Sequence, residues 1–173
     1  MSKLKQSGLF WIWITIVLLV IDQVTKQWAL TALAEGNTIQ VMPHFDFRLA
    51  FNYGAAFSFL ADAGGWQKWG LSIFAVCVSV ALIVWLSRIK STDRWLSISL
   101  ALVLSGALGN AYDRIAYGYV IDFIDWFWEK GVSHWPTFNI ADTAISIGAA
   151  MLIIESLFMS QSESSDSKNS AAK

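Results

Sequence analysis

The stretch FNIADTAISIGAAMLIIESLF, residues 138–158, sets a carboxylate, Asp142, at the mouth of an apolar run that continues to Phe158. About 20 predominantly apolar residues cross the hydrocarbon core of a bilayer, so the run reads as a membrane helix with an acid at one end. Ionisable groups at membrane depth are costly and by default mark a functional site. Asp122, which follows Gly109-Asn110-Ala111-Tyr112-Asp113-Arg114, is a second such carboxylate. Two of them at one depth make a pair able to do acid–base chemistry.

Working outward, three further runs are long enough to span: Leu9–Ala34 (interrupted late by Asp22 and Lys26), Trp69–Leu86 and Trp95–Ala111, with Ile140–Phe158 as the fourth. Hydrophobic residues make up 55% of the chain and charged residues 14%, the mean hydropathy is +0.50, and Trp occurs ten times. These values lie on the apolar side of soluble domains. They predict an all-α membrane bundle, one domain over residues 1–159 with four transmembrane helices. The Ser-rich tail 160–173 is expected to be disordered. A net charge of −1 without a basic stripe gives no case for nucleic acid.

Lys3 and Lys5 ahead of Leu9–Ile21 imitate a secretory signal, but Asp22-Gln23-Val24-Thr25-Lys26 follows where a small-residue cleavage site would stand. The segment reads as a retained first span. Cys77 is the sole cysteine, which excludes an intrachain disulfide and suggests a packed core thiol. Lys3, Lys5, Arg88, Lys90 and Arg94 flank the span ends on one side. Basic residues favour the cytoplasm, so both termini are expected inside.

The two outer connections, about 35–65 and 112–138, are too apolar and too patterned for plain loops. His44–Leu49 alternates polar and apolar residues, the period of a half-buried strand. Asn52-Tyr53-Gly54 suits a turn, Ala55–Leu60 is apolar again, and Tyr119–Ile124 is β-prone. Trp126, Trp128 and Trp135 suit an interfacial aromatic belt. A small β platform on the outer membrane surface follows.

Depth gathers the polar residues. Asp22 lies about 20 Å along span one at ~1.5 Å per residue, with Lys26 one turn further. Span three carries Asn110, Asp113 and Arg114 to its outer end, span four starts there with Asn139 and Asp142, and Asn52 and Asp122 arrive from the connections. Structural readings stand beside each. Asp22 and Lys26 suit an i,i+4 ion pair, and Asp113-Arg114 an ordinary helix-end pair. Asn139 suits an N-cap with Asp142 a first-turn acid. Asp46, Asp125 and Glu129 are expected to face water. His44 and His134 stand alone, so no metal site is assigned. The sequence also lacks a Gly-x-Ser-x-Gly elbow and a phosphate-cradling Gly loop.

Five blocks stand in order: Asp22-x-x-x-Lys26, Asn52-x-Gly54-Ala55-Ala56-Phe57, Gly106-Ala107-Leu108-Gly109-Asn110-x-x-Asp113-Arg114, Val120-Ile121-Asp122-Phe123 and Phe138-Asn139-x-Ala141-Asp142. Together they resemble bacterial lipoprotein signal peptidase (signal peptidase II), an aspartic protease of the inner membrane, over about Leu9–Phe158. The chain departs from the resemblance at Phe51, where the family often carries a basic residue. The resemblance implies four transmembrane helices under a periplasmic β cradle, with Asp122 and Asp142 as catalytic residues. It implies supporting or substrate-binding roles for Asp22, Lys26, Asn52, Gly54, Asn110, Asp113, Arg114 and Asn139. It also implies a lipid-modified prolipoprotein as substrate, cut just before its diacylglyceryl cysteine. Membrane lipid is then a partner, metal and cofactor are not required, and a monomer is expected. An ion-coupled transporter would need polar groups continuing to the inner face, and spans two to four carry almost none there. A structural assembly protein would leave Asp122, Asp142 and Asn110 at avoidable cost.

Overall fold

The computed structural model describes residues 6–54, 65–129 and 131–171. A 3-10 turn, Gly8–Trp11, leads into α1 (Ile12–Ala32). After a second 3-10 turn come β1 (Thr38–Met42) and β2 (Phe45–Asn52), then α2 (Trp66–Arg88) and α3 (Arg94–Ala116). The chain closes with β3 (Val120–Glu129), β4 (Ser133–His134) and α4 (Ile140–Ala171). Four helical stretches, Gly8–Ala32, Lys68–Arg88, Arg94–Ala116 and Ile140–Leu157, are long and apolar enough to cross a membrane. The expected four-helix membrane bundle is therefore the fold, with a small antiparallel sheet in the order β1-β2-β3-β4.

The third helix is the hub. Its spanning window is 56% buried, against 17–22% for the other three, which turn most of their surface outward. Val20, Val24, Ile73, Phe74 and Ile153 are exposed accordingly, as a lipid-facing surface requires. Cys77 lies on that exterior and not in the core as its apolar neighbours suggested, because a helix apolar all round gives no sign of which face is packed. Leu82, Leu86, Leu100 and Leu104 form the main cluster between α2 and α3. Small residues let α3 approach α4. A Cβ on Gly106 would collide with the Ala141 carbonyl oxygen, and one on Gly109 would stand 2.6 Å from Asp22 Oδ2. Glycine is required at 106 for the first turn of α4 to sit where it does, and at 109 for the Asp22 carboxylate to do so.

The sheet lies at the end of the bundle where α1 and α3 finish and α4 begins. Its central pair, β2 and β3, runs antiparallel, with Asn52 opposite Val120 and Ala50 opposite Asp122. An extra residue on β2, between Phe47 and Ala50, breaks this register. Such a bulge shifts the side chains beyond it to the other face. The turn expected at Asn52-Tyr53-Gly54 is present, with the Gly54 N–H donating to Asn52 Oδ1 at 3.0 Å. Residues 55–64, including the apolar Ala55–Leu60, lie outside the described ones. Trp126, Trp128 and Trp135 are all exposed at the sheet, as an interfacial belt requires.

A further expectation differs from the structure. Asp46 and Asp125 do not face water: they are 2% and 1% exposed and sit opposite each other on β2 and β3. Arg48 from the bulge and His134 from the returning segment lie against Asp125, a tertiary event that strand alternation does not encode. The fourth helix, α4, spans Ile140–Ala171.

Candidate active site

The fourth helix begins with a reciprocal cap. The Asp142 N–H donates to Asn139 Oδ1 at 2.9 Å, and the Asn139 N–H donates back to Asp142 Oδ2 at 3.3 Å. This is the capping-box arrangement with Asp in place of Glu at the third helical position. The structural reading of these residues is correct, and it is also what fixes the Asp142 carboxylate. Its other oxygen accepts from Asn110 Nδ2 at 2.7 Å.

Asn139 serves the second carboxylate as well. Its Nδ2 donates to Asp122 Oδ1 at 2.7 Å, with longer contacts of 3.3 Å to Asn110 Oδ1 and the Ile121 carbonyl. Asn52, from the adjacent strand, also hydrogen-bonds to Asp122. Each acid is thus held by an amide from a different element, Asp142 by Asn110 on α3 and Asp122 by Asn139 at the head of α4.

Beneath this layer lies a buried ion cluster. Lys26, fully buried, donates to Asp22 Oδ2 at 2.9 Å, Asp113 Oδ2 at 2.8 Å and Asn110 Oδ1 at 3.0 Å. All three N–H groups of the ammonium are accounted for. The expected Asp22–Lys26 pair is present. Asp113 does not form the helix-end pair with Arg114 that adjacency suggested; it completes the Lys26 cluster and accepts the Ile121 N–H at 3.2 Å. The free oxygen of Asp22 accepts the Ala141 N–H at 2.9 Å, so the cluster reaches the first turn of α4 directly. Gln23, which the sequence did not single out, bridges Asp22 and Asp113 at 3.2 and 3.0 Å. Only its place beside the Asp22-Lys26 block hinted at it.

Arg114 takes another direction. Its Nη2 donates to the Gly54 carbonyl at 2.8 Å and Nη1 to the Asn110 carbonyl at 3.3 Å, tying the end of β2 to α3. A cavity of about 590 Å³ opens beside it. Asn52, Asn110, Arg114 and Asp142 give this cavity its polar wall. Leu71 and Phe74 of α2, Ala107 of α3 and Ile145 of α4 give it an apolar one, and Trp135–Phe138 closes a further side. Asp122 does not line the cavity; it sits behind, 2% exposed. All ten residues expected at the site are thus drawn to one end of the bundle.

Burial pushes the Asp122 carboxyl up to about 7, and the neighbouring Asp142 charge adds to the rise; hydrogen bonds from Asn52 and Asn139 and the charge of Lys26 oppose it. Two close carboxylates cannot both ionise cheaply, so the pair keeps a proton to higher pH than a lone carboxylate would. A stability consequence follows. Between pH 3.8 and about 7 the folded state binds this proton and the unfolded state does not, so stability falls as pH rises through that window. The rise amounts to roughly 4 kcal/mol once Asp122 is ionised. Asp122→Asn is therefore expected to melt at a higher temperature than the parent at pH 8, with the gap closing near pH 4. Thermal unfolding in detergent at the two pH values tests this, and a variant no more stable than the parent at pH 8 would refute it.

Among the described residues there is no group of three or more His, Cys, Asp or Glu side chains arranged to hold a metal ion. His134 is nevertheless not isolated: its Nδ1 lies 2.9 Å from Asp125 Oδ2.

A family model described as signal peptidase (SPase) II matches residues 14–158. The lipoprotein signal peptidase of Pseudoalteromonas translucida is 51% identical over 156 residues, covering 90% of this chain and 93% of its own. That of Psychromonas ingrahamii is 48% identical over 160 residues, covering 92% and 91%. A bacterial membrane enzyme solved by the in meso method at 2.3 Å resolution aligns with a TM-score of 0.74 at 30% identity, over 84% of this chain and 86% of that one. A second, at 1.9 Å resolution, aligns with a TM-score of 0.71 at 27% identity, over 88% and 97%.

Proposed function

The chain belongs to the signal peptidase II family, a multi-pass membrane protease, and we propose that it removes signal peptides from diacylglyceryl-modified prolipoproteins by an aspartic mechanism. The observation that carries the mechanism is the pair itself: Asp122 on β3 and Asp142 at the head of a membrane helix, each oriented by an asparagine amide. The pair shares one proton, and we assign the base to Asp142, which lines the cavity, and the acid to Asp122 behind it. Asp142 takes a proton from water as the water oxygen attacks the carbonyl carbon preceding the lipidated cysteine. Asp122 polarises the carbonyl oxygen through its proton. Collapse of the tetrahedral intermediate breaks the C–N bond, and the proton taken by Asp142 passes to the leaving nitrogen. The products are a signal peptide with a new carboxylate and a lipoprotein with a free cysteine amine.

The apolar wall of α2 and α4 suits a substrate that arrives within the bilayer. Asn52, Arg114 and the exposed carboxylate edge suit its peptide backbone, which finds no hydrogen-bond partners in lipid. The purified protein is expected to cut a precursor whose cysteine carries diacylglycerol and to leave the unmodified precursor uncut, with products identified by mass. Equal cleavage of both would remove the lipid from the specificity.

The family reading places the protein in the inner (cytoplasmic) membrane, and the basic residues favour both termini in the cytoplasm, with the site near the periplasmic face. Reporter fusions after Arg88 and in the 160–173 tail are expected to read cytoplasm, and fusions near Asp62 or Gly131 periplasm. A periplasmic signal from the 88–94 loop would invert the site's leaflet.

A further inference from the structure

Asp125 is a buried acid that the catalytic pair does not use. It lies three residues after Asp122 on β3, hence on the other face of the strand. Its carboxylate accepts Arg48 Nε and Nη2 at 3.2 Å each and meets His134 Nδ1 at 2.9–3.0 Å. The Gly131 N–H donates to His134 Nε2 at 3.1 Å. Nε2 is therefore the acceptor, and the hydrogen-bond pattern assigns the ring proton to Nδ1, facing Asp125. Burial pushes the Asp125 carboxyl up, but the hydrogen bonds from Arg48 and His134 and the Arg48 charge outweigh it and hold it below its ordinary value.

Both partners of Asp125 lead to the same piece of chain. Arg48 Nη2 also donates to Thr137 Oγ1 at 3.2 Å, and His134 opens the segment that contains Thr137. Backbone bonds sew this segment to β3, from the Trp135 N–H to the Trp126 carbonyl at 2.7 Å and from the Phe138 N–H to the Ile124 carbonyl at 3.1 Å. The segment supplies Trp135, Pro136, Thr137 and Phe138 to the cavity and runs straight into Asn139. Arg48 sits in the β2 bulge, a device that re-aims side chains beside active sites.

Holding two strands together does not call for this arrangement. Asp125 stands opposite Asp46, and both are buried; taking a carboxylate out of water is costly. An apolar cross-strand pair would hold the sheet without that electrostatic cost. What the charged group adds is direction, since three hydrogen-bonded side chains fix the cavity wall from behind.

We propose that Arg48, Asp125 and His134 form a positioning clamp that sets the Trp135–Phe138 wall of the cavity and, through it, affinity for the precursor. The clamp rests on the functional reading above. None of the three lines the cavity, so they are positioning residues and not catalytic ones.

The test measures KM and kcat of the full-length protein in detergent on a synthetic precursor peptide with a diacylglyceryl cysteine. His134→Ala is expected to raise KM about tenfold, the effect of one lost charge-assisted hydrogen bond, with kcat held within about twofold. His134→Asn keeps an N–H close to the position of Nδ1 and is expected to restore most of the parent KM. Arg48→Met, at a side chain 45% exposed, is expected to raise KM similarly and carries the test if His134→Ala does not fold. An unchanged KM in a folded His134→Ala or Arg48→Met protein overturns the clamp, as does a kcat loss without a KM change. Equal KM losses in His134→Ala and His134→Asn overturn it too. If the parent protein itself leaves the lipidated peptide uncut, the functional reading falls and the clamp with it; a parent that cuts while KM ignores the clamp variants refutes the clamp alone.

Discussion

Lys26→Met is expected to lower the unfolding free energy by at least about 3–5 kcal/mol, the range for removing one partner of a buried ion pair. The side chain is fully buried and its ammonium is the common donor to Asp22, Asp113 and Asn110. Its loss strands two buried carboxylates and leaves the Asn110 oxygen short of a partner. Asp22→Asn is expected to be milder, because Lys26 keeps Asp113 and the amide oxygen can still accept the Ala141 N–H. A simple i,i+4 pair would make the two single variants equivalent, with a double variant milder than their sum. Asp113 changes that result: Lys26→Met with Asp22→Asn still leaves Asp113 charged and buried, and only the further change Asp113→Asn relieves it. Thermal unfolding of the four variants in detergent tests the order. Equal losses for Lys26→Met and Asp22→Asn would mean that Asp113 does not belong to the cluster.

The bundle was legible because each span is one long apolar run, and the Asp22–Lys26 pair because helix spacing places i and i+4 on one face. The cap at Asn139 was legible for the same kind of reason: it is local. What the sequence did not disclose depends on contacts between distant elements. Asp113 lies 87 residues from Lys26, and nothing in its neighbourhood distinguishes a partner of Lys26 from a partner of Arg114. Asp125 looks solvent-facing until Arg48 from the bulge and His134 from the returning segment lie against it. Gln23 carries no charge or motif, so its bridge between two acids appears only once α1 and α3 are packed. Gly106 and Gly109 could be quoted as part of a block, but the reason for them is a clearance against α4 and Asp22.

The catalytic pair is where local and distant information meet. Asp142 was marked by its place at the head of an apolar helix, and Asp122 by its order among the blocks. Their approach depends on Asn110, which holds Asp142, and Asn139, which holds both acids. An Asn in place of either Asp keeps the size and much of the hydrogen bonding, yet it can neither take a proton from water nor hold the shared one. General acid–base groups contribute roughly 10²–10⁴-fold each, and residues that act as a unit lose nearly everything when one is removed.

Cleavage of the diacylglyceryl precursor by purified parent, Asp122→Asn and Asp142→Asn proteins, each shown by thermal unfolding to be folded, tests the paired-carboxylate mechanism most directly. The account predicts that the parent cuts just before the lipidated cysteine and that both variants fall by at least about 10²-fold. Substantial turnover by either folded variant would contradict it.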